Sequence, residues 1–270
     1  MPTANHQSTR EHDIVLFGAT GFTGGLVAQH LAAKAPVGLR WAIAGRSAEK
    51  LEKVRGSLGL PELEVLVADV SDPASLASLA ASTKVVVTTV GPYLAHGEPL
   101  VKACAEAGTD YIDLTGEPEF VDRMFTKYDA VARESGARIV HAAGFDSIPH
   151  DLGAFYTVRQ LEERGGPITE PLRIEGIVRT NGGMSGGTFH SALDQFARAP
   201  EMGAAARERA RVEKRPEGRT SRAVRGRPTR KLGYYLLPLP TIDPLIVKRS
   251  GAALAAYGPA FSYSHYAGIR

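Results

Sequence analysis

Apolar residues in the first half of the chain form short, β-branched runs that alternate with longer, helix-like stretches. Such nearly continuous apolar runs are typical of parallel strands covered on both faces. The predicted strands are 13–17, 40–45, 63–69, 84–90, 110–114 and 137–144. The predicted helices between them are 22–34, 47–58, 73–81, 97–107 and 119–135. This alternation predicts an α/β fold, with a Rossmann-type doubly wound parallel sheet over residues 1–150.

The alternation stops after about residue 150. A helix-like stretch over 151–165 is followed by an extended run over 171–180, the glycine-rich "NGGMSGGT" and another helix-like stretch. We predict that 151–270 is a second α/β (α+β) domain that binds substrate or forms a homodimer. The sequence ends at "SYSHYAGIR" without a recognisable end to the domain, so we expect this domain to be incomplete at its C-terminus.

Charge is divided unequally between the two halves. Residues 1–150 carry 13 Lys and Arg against 18 Asp and Glu, a balance of −5, and residues 151–270 carry 19 against 11, a balance of +8. The two balances sum to the net charge of +3. Much of the excess lies in 207–231, which holds eleven basic and three acidic residues. Like-charge crowding predicts a mobile, exposed segment there.

This basic segment, residues 207–231, has three interpretations. It is a solvated loop, a docking surface for an acidic carrier protein or an anionic membrane, or a nucleic-acid contact. The segment lacks interleaved aromatic residues and belongs to no recognisable nucleic-acid-binding fold, so we expect no nucleic-acid partner.

Cysteine usage and hydropathy indicate a cytoplasmic location. Cys104 is the only cysteine, so no disulfide can form within the chain. No apolar run reaches the ~20 residues of a membrane-spanning helix, and the first residues are polar. Peripheral attachment to a membrane through the basic segment remains open.

A glycine-rich turn follows the first predicted strand. It consists of Gly18, Ala19, Thr20, Gly21, Phe22, Thr23 and Gly24. Gly18 allows the tight turn, Gly21 lets backbone N–H groups approach a pyrophosphate, and Gly24 lets the helix pack on the sheet. The helix N-terminus adds its free donors and partial positive charge. A turn that binds no ligand is the alternative, and the surrounding βαβ array favours dinucleotide binding.

The second strand ends without the acidic residue that usually bonds the ribose of NAD. Arg46 and Ser47 stand there instead, and a guanidinium can bind a 2′-phosphate. We therefore predict NADP as the cofactor, although Arg46 could also be a solvated residue at a helix start. Asp69, the last residue of the third predicted strand, is expected beside the adenine or as a helix N-cap.

Three later strand ends should meet at the same edge of the sheet. Gly91 and Pro92 are expected against the nicotinamide half of the coenzyme. The candidate catalytic residues are Tyr93, His96 and Asp146. Each has a plainer interpretation: Tyr93 stacks on the cofactor, His96 is a solvated loop residue, and Asp146 caps a helix. No tyrosine has a lysine four residues later, which disfavours a short-chain dehydrogenase mechanism. The histidines are scattered, so no metal site is predicted.

These motifs resemble those of the saccharopine dehydrogenase-like oxidoreductases, above all the trans-acting enoyl reductases of mycobacteria. The matching segments are "GATGFTGG", "AGRS", "GPYLAHGEPLVKACAEAGTDYIDLTGE", "GFDSIPHDLG", "GGMSGGT" and "LPTIDPLIVKRS". The resemblance implies an NADP-binding Rossmann domain, a second α/β domain and a reductase acting on a carbon–carbon double bond of a polyketide-derived lipid intermediate. It also implies a C-terminal segment beyond the last residue here.

Three functions remain in competition. The first is NADPH-dependent reduction of an enoyl thioester in lipid biosynthesis. The second is a saccharopine-type NADP-dependent dehydrogenase that acts on an amino-acid imine, which requires a basic pocket for carboxylates. The third is a redox sensor that binds NADP without turnover, which the lack of an obvious proton donor favours.

Overall fold

The computed structural model describes residues 10–145, 147–179, 197–214 and 216–270. The chain divides into two compact units, Met1–His141 and Ala142–Arg270. The division therefore falls somewhat before the predicted boundary near residue 150.

The first unit contains a six-stranded parallel sheet. Its strands are β1 (His12–Phe17), β2 (Trp41–Gly45), β3 (Glu64–Val67), β4 (Thr83–Thr88), β5 (Asp110–Asp113) and β6 (Ile139–Val140). They lie in the order β3-β2-β1-β4-β5-β6, and every neighbouring pair is parallel. The order reverses between β1 and β4, the place where doubly wound sheets open a crevice for ligands. The predicted Rossmann-type fold is confirmed.

Six helices connect these strands. They are α1 (Phe22–Lys34), α2 (Ala48–Leu58), α3 (Pro73–Ser82), α4 (Tyr93–His96), α5 (Glu98–Ala107) and α6 (Pro118–Ser135). N-cap side chains satisfy donors of α2 and α3, because Ser47 accepts from the Lys50 N–H and Asp72 from the Ala74 N–H. Gly59, Gly108 and Gly136 end three helices in the left-handed conformation that glycine adopts without strain.

The last strand of this sheet is much shorter than predicted. The sequence predicts a strand over 137–144, whereas β6 covers only Ile139–Val140. β6 is an edge strand that pairs with β5 alone, and Ala142 follows it with φ of 58°. A positive φ is incompatible with an extended strand, so the chain leaves the sheet there.

The core of the first unit lies on both faces of the sheet. Val15 and Phe17 pack on one side with residues of α3 and α5. Leu16 and Ile43 pack on the other side with Leu51 of α2. Successive residues of β1 thus face opposite layers, which explains the continuous apolar run in the sequence.

The second unit is a mixed sheet with three described α-helices. Its strands are β7 (Leu172–Val178), β8 (Thr220–Ala223), β9 (Thr229–Lys231), β10 (Tyr234–Pro238) and β11 (Ala260–Ile269). Its helices are α7 (Ile148–Gly165), α8 (Ala199–Val212), α9 (Asp243–Ala253) and a short 3₁₀ helix, Ala255–Tyr257. β11 pairs in parallel with β7 and β8 and antiparallel with β10. The predicted second α/β (α+β) architecture is confirmed.

The basic segment is more ordered than its charge suggests. It contains the end of α8 and the two strands β8 and β9, which pair with β11 and β10. Arg209 is only 6% exposed, and two of its guanidinium nitrogens each donate to Glu213 at 3.0 Å. Most of its other described residues are exposed, as like-charge crowding predicts, while strand pairing and this ion pair give parts of the segment regular structure.

Among the helices that the structure describes, none combines the length and the apolar character needed to cross a membrane.

Candidate functional site

The glycine turn of the first unit is held between the ends of β2 and β4. Gly18 has φ of 93°, and its N–H donates to the Ala44 carbonyl at 2.8 Å. The Thr89 hydroxyl donates to the Gly18 carbonyl at 3.2 Å. A Cβ at position 18 would lie 2.6 Å from Cγ2 of Val90. Both the backbone angle and the space therefore require glycine there.

The other two glycines of the turn, Gly21 and Gly24, differ in how much space a Cβ atom would have. A Cβ at Gly24 would overlap the Gly18 carbonyl, because α1 passes directly over the turn. A Cβ at Gly21 would meet only the Gly18 oxygen at 3.4 Å. The chain's own packing thus makes Gly24 essential, whereas the small size of Gly21 leaves open space beside the helix start.

The start of α1 offers donors to an anion. Gly21 is the N-cap and provides no side-chain bond to the helix, and the first turn holds no acidic residue. The first N–H groups of an α-helix have no partner within the helix. Thr20, Gly21, Phe22 and Thr23 are exposed, and Ala19 is buried beneath them. Exposed donors and a positive helix end suit a pyrophosphate.

Arg46 follows β2 and is exposed at the same edge of the sheet. The adjacent Ser47 uses its hydroxyl to cap α2, at 3.4 Å from the Lys50 nitrogen. The second strand is followed by an exposed guanidinium and not by the acidic residue that NAD-binding domains place there. This position suits the 2′-phosphate of NADP.

The Asp69 carboxylate is hydrogen-bonded to Ser71 and does not cap a helix. It accepts from the Ser71 N–H at 2.8 Å and from the Ser71 hydroxyl at 2.7 Å. These bonds lower the pKa of Asp69, and the charge of Arg46 acts in the same direction. Asp72 caps α3, so the alternative that Asp69 is that N-cap is wrong.

The turn after β4 places Tyr93 inside the protein. Gly91 and Pro92 are exposed and joined by a cis peptide bond, while Tyr93 is only 5% exposed. The Tyr93 hydroxyl donates to the Thr88 carbonyl at 3.1 Å, and burial raises the pKa of Tyr93 well above its usual value. This geometry gives Tyr93 a packing role and leaves it poorly placed to donate a proton to substrate.

His96 lies at the other end of the short helix α4 and is exposed. Among the candidate catalytic residues that the structure describes, it is the one whose side chain reaches solvent. Asp146 lies outside the described residues, as do the glycines of "NGGMSGGT".

Glu117 organises this turn, a role that the sequence does not reveal. The side chain is 8% exposed and accepts from the Tyr93 N–H at 3.0 Å and from the Leu94 N–H at 2.8 Å. It therefore satisfies the first two donors of α4 from a distant part of the chain. In the sequence, the one feature that pointed to a role for Glu117 at this site was its position in "LTGEP", after the fifth strand.

A buried polar network continues from Glu117 to the edge of the sheet. The Thr115 hydroxyl accepts from the Glu117 N–H at 3.1 Å, and the Thr115 N–H donates to Asp113 at 3.0 Å. Asp113 also accepts from the Tyr111 hydroxyl at 3.0 Å and lies 2.7 Å from Nδ1 of His141. The network fixes the ends of β5 and β6 beside the turn after β4.

The second unit brings together three side chains that the sequence scatters. His150 lies on α7, Asp243 begins α9, and His265 lies in β11. Nε2 of His150 is 3.6 Å from Oδ1 of Asp243, and Nε2 of His265 is 3.7 Å from Oδ2. Burial, and then the charge of His150, lower the pKa of His265 to about 4. His150 and His265 are far apart in the sequence, but the fold brings both of them next to Asp243.

A basic groove also lies in the second unit, between the β8 region and α9. Its charged lining residues are Lys214, Arg219, Arg222, Lys248, Arg249 and Glu213. Glu213 is engaged by Arg209 and by Arg249, whose Nε lies 3.2 Å from its carboxylate. Five cations against one paired acid give the groove a positive potential.

The first unit thus has the strand order, the glycine turn and the donor-rich helix start of a dinucleotide-binding Rossmann domain. Residues 14–140 match the family model of the saccharopine dehydrogenase NADP binding domain. This match confirms the resemblance over the first unit and supports NADP as its coenzyme.

Curated relatives extend the similarity into the second unit. A Mycobacterium tuberculosis protein with the provisional name of trans-acting enoyl reductase is 42% identical over 281 residues, 94% of this chain and 64% of that protein. A trans-acting enoyl reductase of Mycobacterium bovis is 51% identical over 158 residues, 58% of this chain and 38% of that protein. The chain therefore spans less than two thirds of the length of these relatives.

Among solved structures, the apo form of Saccharomyces cerevisiae saccharopine dehydrogenase matches 62% of this chain and 34% of its own, with 18% identity and a TM-score of 0.44. Citrobacter triphenylmethane reductase, complexed with NADP(H), matches 61% of this chain and 57% of its own, with 23% identity and a TM-score of 0.39.

Proposed function

We propose that this chain is part of an NADPH-dependent oxidoreductase that reduces the carbon–carbon double bond of an enoyl thioester during polyketide or lipid biosynthesis. The supporting observation is the 42% identity, over 94% of the chain, to a relative with the provisional name of trans-acting enoyl reductase. Since the similarity continues past the coenzyme domain, it favours a shared substrate class as well as a shared coenzyme.

The coenzyme would be held at three places along the sheet edge. The N–H groups at the start of α1 would bind the pyrophosphate, and Gly21 leaves the space for its approach. Arg46 would bind the 2′-phosphate, and Asp69, oriented by Ser71, would face the adenosine end. The exposed Gly91 and Pro92 would face the nicotinamide end.

Reduction of an enoyl thioester requires two additions. When bound, NADPH supplies the hydride that adds to the β-carbon, and negative charge then spreads from the α-carbon to the thioester oxygen. A proton must reach the α-carbon, and donors near the oxygen stabilise the charge in the meantime. We place the proton donor at His96, because Tyr93 is buried and already donates to Thr88. Glu117 would keep His96 in place through its bonds to the start of α4.

The direct test is NADPH consumption by the full chain with enoyl thioesters of increasing acyl length. The saturated thioester of each length serves as the control. We expect oxidation of NADPH with the unsaturated substrates alone, and recovery of the saturated thioester as product. Oxidation with an amino-acid imine alone would instead identify a saccharopine-type dehydrogenase. Tight NADPH binding with no oxidation across all substrates would identify a redox sensor.

The basic groove suits the delivery of such a substrate by an acidic carrier protein. Arg222 and Lys248 are exposed on it, and charge complementarity speeds the encounter of oppositely charged proteins. If a carrier docks there, Arg222→Glu and Lys248→Glu should raise KM for a carrier-bound enoyl substrate about tenfold while leaving kcat and the free thioester unaffected. The exposed Arg133, on α6, provides a matched control as Arg133→Glu.

High salt should weaken the carrier-bound reaction in the same way, because exposed ionic contacts are screened. Equal effects of the two reversals on free and carrier-bound substrates would rule out docking at this groove. Binding of the chain to anionic vesicles that depends on the same two residues would show that the groove recognises a membrane.

A further inference from the structure

Three polar side chains converge within the second unit from elements far apart in the chain. His150 lies in the first turns of α7, Asp243 is the first residue of α9, and His265 is in the middle of β11. Their nitrogen and oxygen atoms all lie within 4.8 Å of one another. Two of these residues come from the motifs "GFDSIPHDLG" and "LPTIDPLIVKRS", which the coenzyme site does not use.

The distances fit ligands around an ion better than direct hydrogen bonds. Nε2 of His150 is 3.6 Å from Oδ1 of Asp243 and Nε2 of His265 is 3.7 Å from Oδ2, both longer than the roughly 2.7–3.2 Å of an N–H···O bond. Around Zn²⁺, nitrogen and oxygen ligands at about 2.0–2.2 Å in tetrahedral geometry lie roughly 3.3–3.6 Å apart. The ring centroids of the two histidines are 4.6 Å apart, and the ligand atoms of all three residues lie within 4.8 Å of one another.

The three groups are shielded from solvent, which suits an enclosed ion site. The side chains of Asp243 and His265 are 2% and 1% exposed, and that of His150 is 15% exposed. The partly exposed His150 would provide the way in for the ion.

Other residues orient His265 for this role. Nδ1 of His265 lies 2.9 Å from the Tyr263 hydroxyl, so Nε2 is the nitrogen that faces Asp243. Metal-binding histidines usually have their second nitrogen hydrogen-bonded in this way. Gly176 pairs with His265 across β7 and β11, and a Cβ there would collide with the Tyr263 hydroxyl and lie 3.1 Å from Nδ1. Glycine in this strand makes room for the tyrosine–histidine pair.

We propose that His150, Asp243 and His265 form a binding site for a divalent transition-metal ion of the zinc type. The set of two imidazoles and one carboxylate matches the ligands that Zn²⁺ takes in proteins, and three protein ligands leave a fourth position for water or another oxygen. The ion ties α7, α9 and β11 together. The site belongs to the second unit alone and does not depend on the proposed reductase activity.

The test is calorimetric titration of Zn²⁺ into the full chain, freed of its purification tag and treated with a chelator beforehand. We expect one equivalent to bind with a dissociation constant in the micromolar range or below. His265→Gln should weaken that binding at least about 100-fold, and His150→Gln should do so as well. His30→Gln, an exposed histidine on α1, is the matched control and should leave the binding unchanged.

Three further measurements keep the proposal testable if His265→Gln folds poorly. His150→Gln alters a partly exposed side chain, and its circular dichroism should match that of the parent. Gly176→Ala replaces none of the three ligand residues and should weaken Zn²⁺ binding about 10- to 100-fold by displacing Tyr263. Zn²⁺ should also raise the Tm of the parent chain by several degrees, but not that of His150→Gln.

Absence of stoichiometric Zn²⁺ binding to the parent would overturn the proposal. Binding that survives unchanged in both folded His150→Gln and Gly176→Ala would overturn it as well, since the ion would then lie elsewhere.

Discussion

The two units assemble their polar groups in different ways. In the first unit, the candidate coenzyme contacts follow successive strand ends, so each belongs to a short local motif such as the turn at Gly18 or the Arg46 position. In the second unit, His150, Asp243 and His265 come from two helices and a strand that are remote in the chain. A parallel sheet collects its loops at one edge, whereas a mixed sheet imposes no such rule.

The two sites therefore depend on different structural features. The glycine turn depends on the close approach of backbone segments, which a single added Cβ atom would prevent. The histidine–aspartate cluster depends on side-chain orientation, which Tyr263 and Gly176 control. A methyl group added at Gly24 should therefore harm coenzyme binding, whereas one added at Gly176 should disturb the orientation of Tyr263 and His265.

The largest effect is expected for Gly24→Ala. The added Cβ would overlap the Gly18 carbonyl, and neither backbone segment can move without breaking the turn. Overpacking of this kind should cost about 3 kcal/mol in the free energy of unfolding and abolish NADPH binding. Denaturant unfolding and fluorescence titration with NADPH would measure both.

Gly25→Ala is the matched control for this experiment. Its Cβ would be 3.9 Å from the Ala19 oxygen, an ordinary contact, and alanine favours helices. We expect unchanged or slightly increased stability. If Gly24→Ala is tolerated as well as Gly25→Ala, then α1 does not pass over the turn as described.

An intermediate effect is expected for Glu117→Gln. The amide keeps one acceptor for Tyr93 or Leu94 but opposes the other N–H with its own donor. We expect a loss of about 2 kcal/mol in stability, because one buried N–H loses its charged acceptor. kcat should fall with it, since the turn that carries His96 loosens. Glu106→Gln, at an exposed position on α5, should change neither quantity.

The smallest effect is expected for Tyr93→Phe. It removes one hydrogen bond, to the Thr88 carbonyl, and should cost about 1 kcal/mol in stability. Because burial raises the pKa of Tyr93 far above the assay range, the pH–rate profile should show no tyrosine step up to about pH 10 in either protein. His96→Gln, in contrast, should lower kcat. A large loss of kcat in Tyr93→Phe at unchanged stability would assign the proton to Tyr93.

Local patterns predicted much of the first unit. The helix over 22–34 forms as predicted, because the glycine turn and the apolar face define both its start and its packing. The strand over 137–144 was overpredicted, since its apolar composition does not reveal the positive φ at Ala142. Apolar runs predict where strands begin more reliably than where the chain leaves a sheet.

The parts that the sequence did not predict depend on contacts between distant residues. Glu117 caps a helix that precedes it by more than twenty positions, and no spacing rule connects the two. Tyr93 was a candidate catalytic residue because it lies in the turn after a strand. Its burial, however, depends on neighbours from other elements, which the local sequence does not reveal. Arg209, within the basic segment, is buried because Glu213 accompanies it one helical turn away.

The central claim is that the first unit holds NADP through the glycine turn and that Arg46 selects the 2′-phosphate. Calorimetric titration of NADPH and NADH into the parent chain and into Arg46→Ala tests it most directly, with Lys53→Ala on α2 as the exposed basic control. We expect the parent to prefer NADPH, and Arg46→Ala to lose about 10- to 100-fold in NADPH affinity with NADH unchanged. Equal losses for both coenzymes, or no binding of either to the folded parent, would contradict the account.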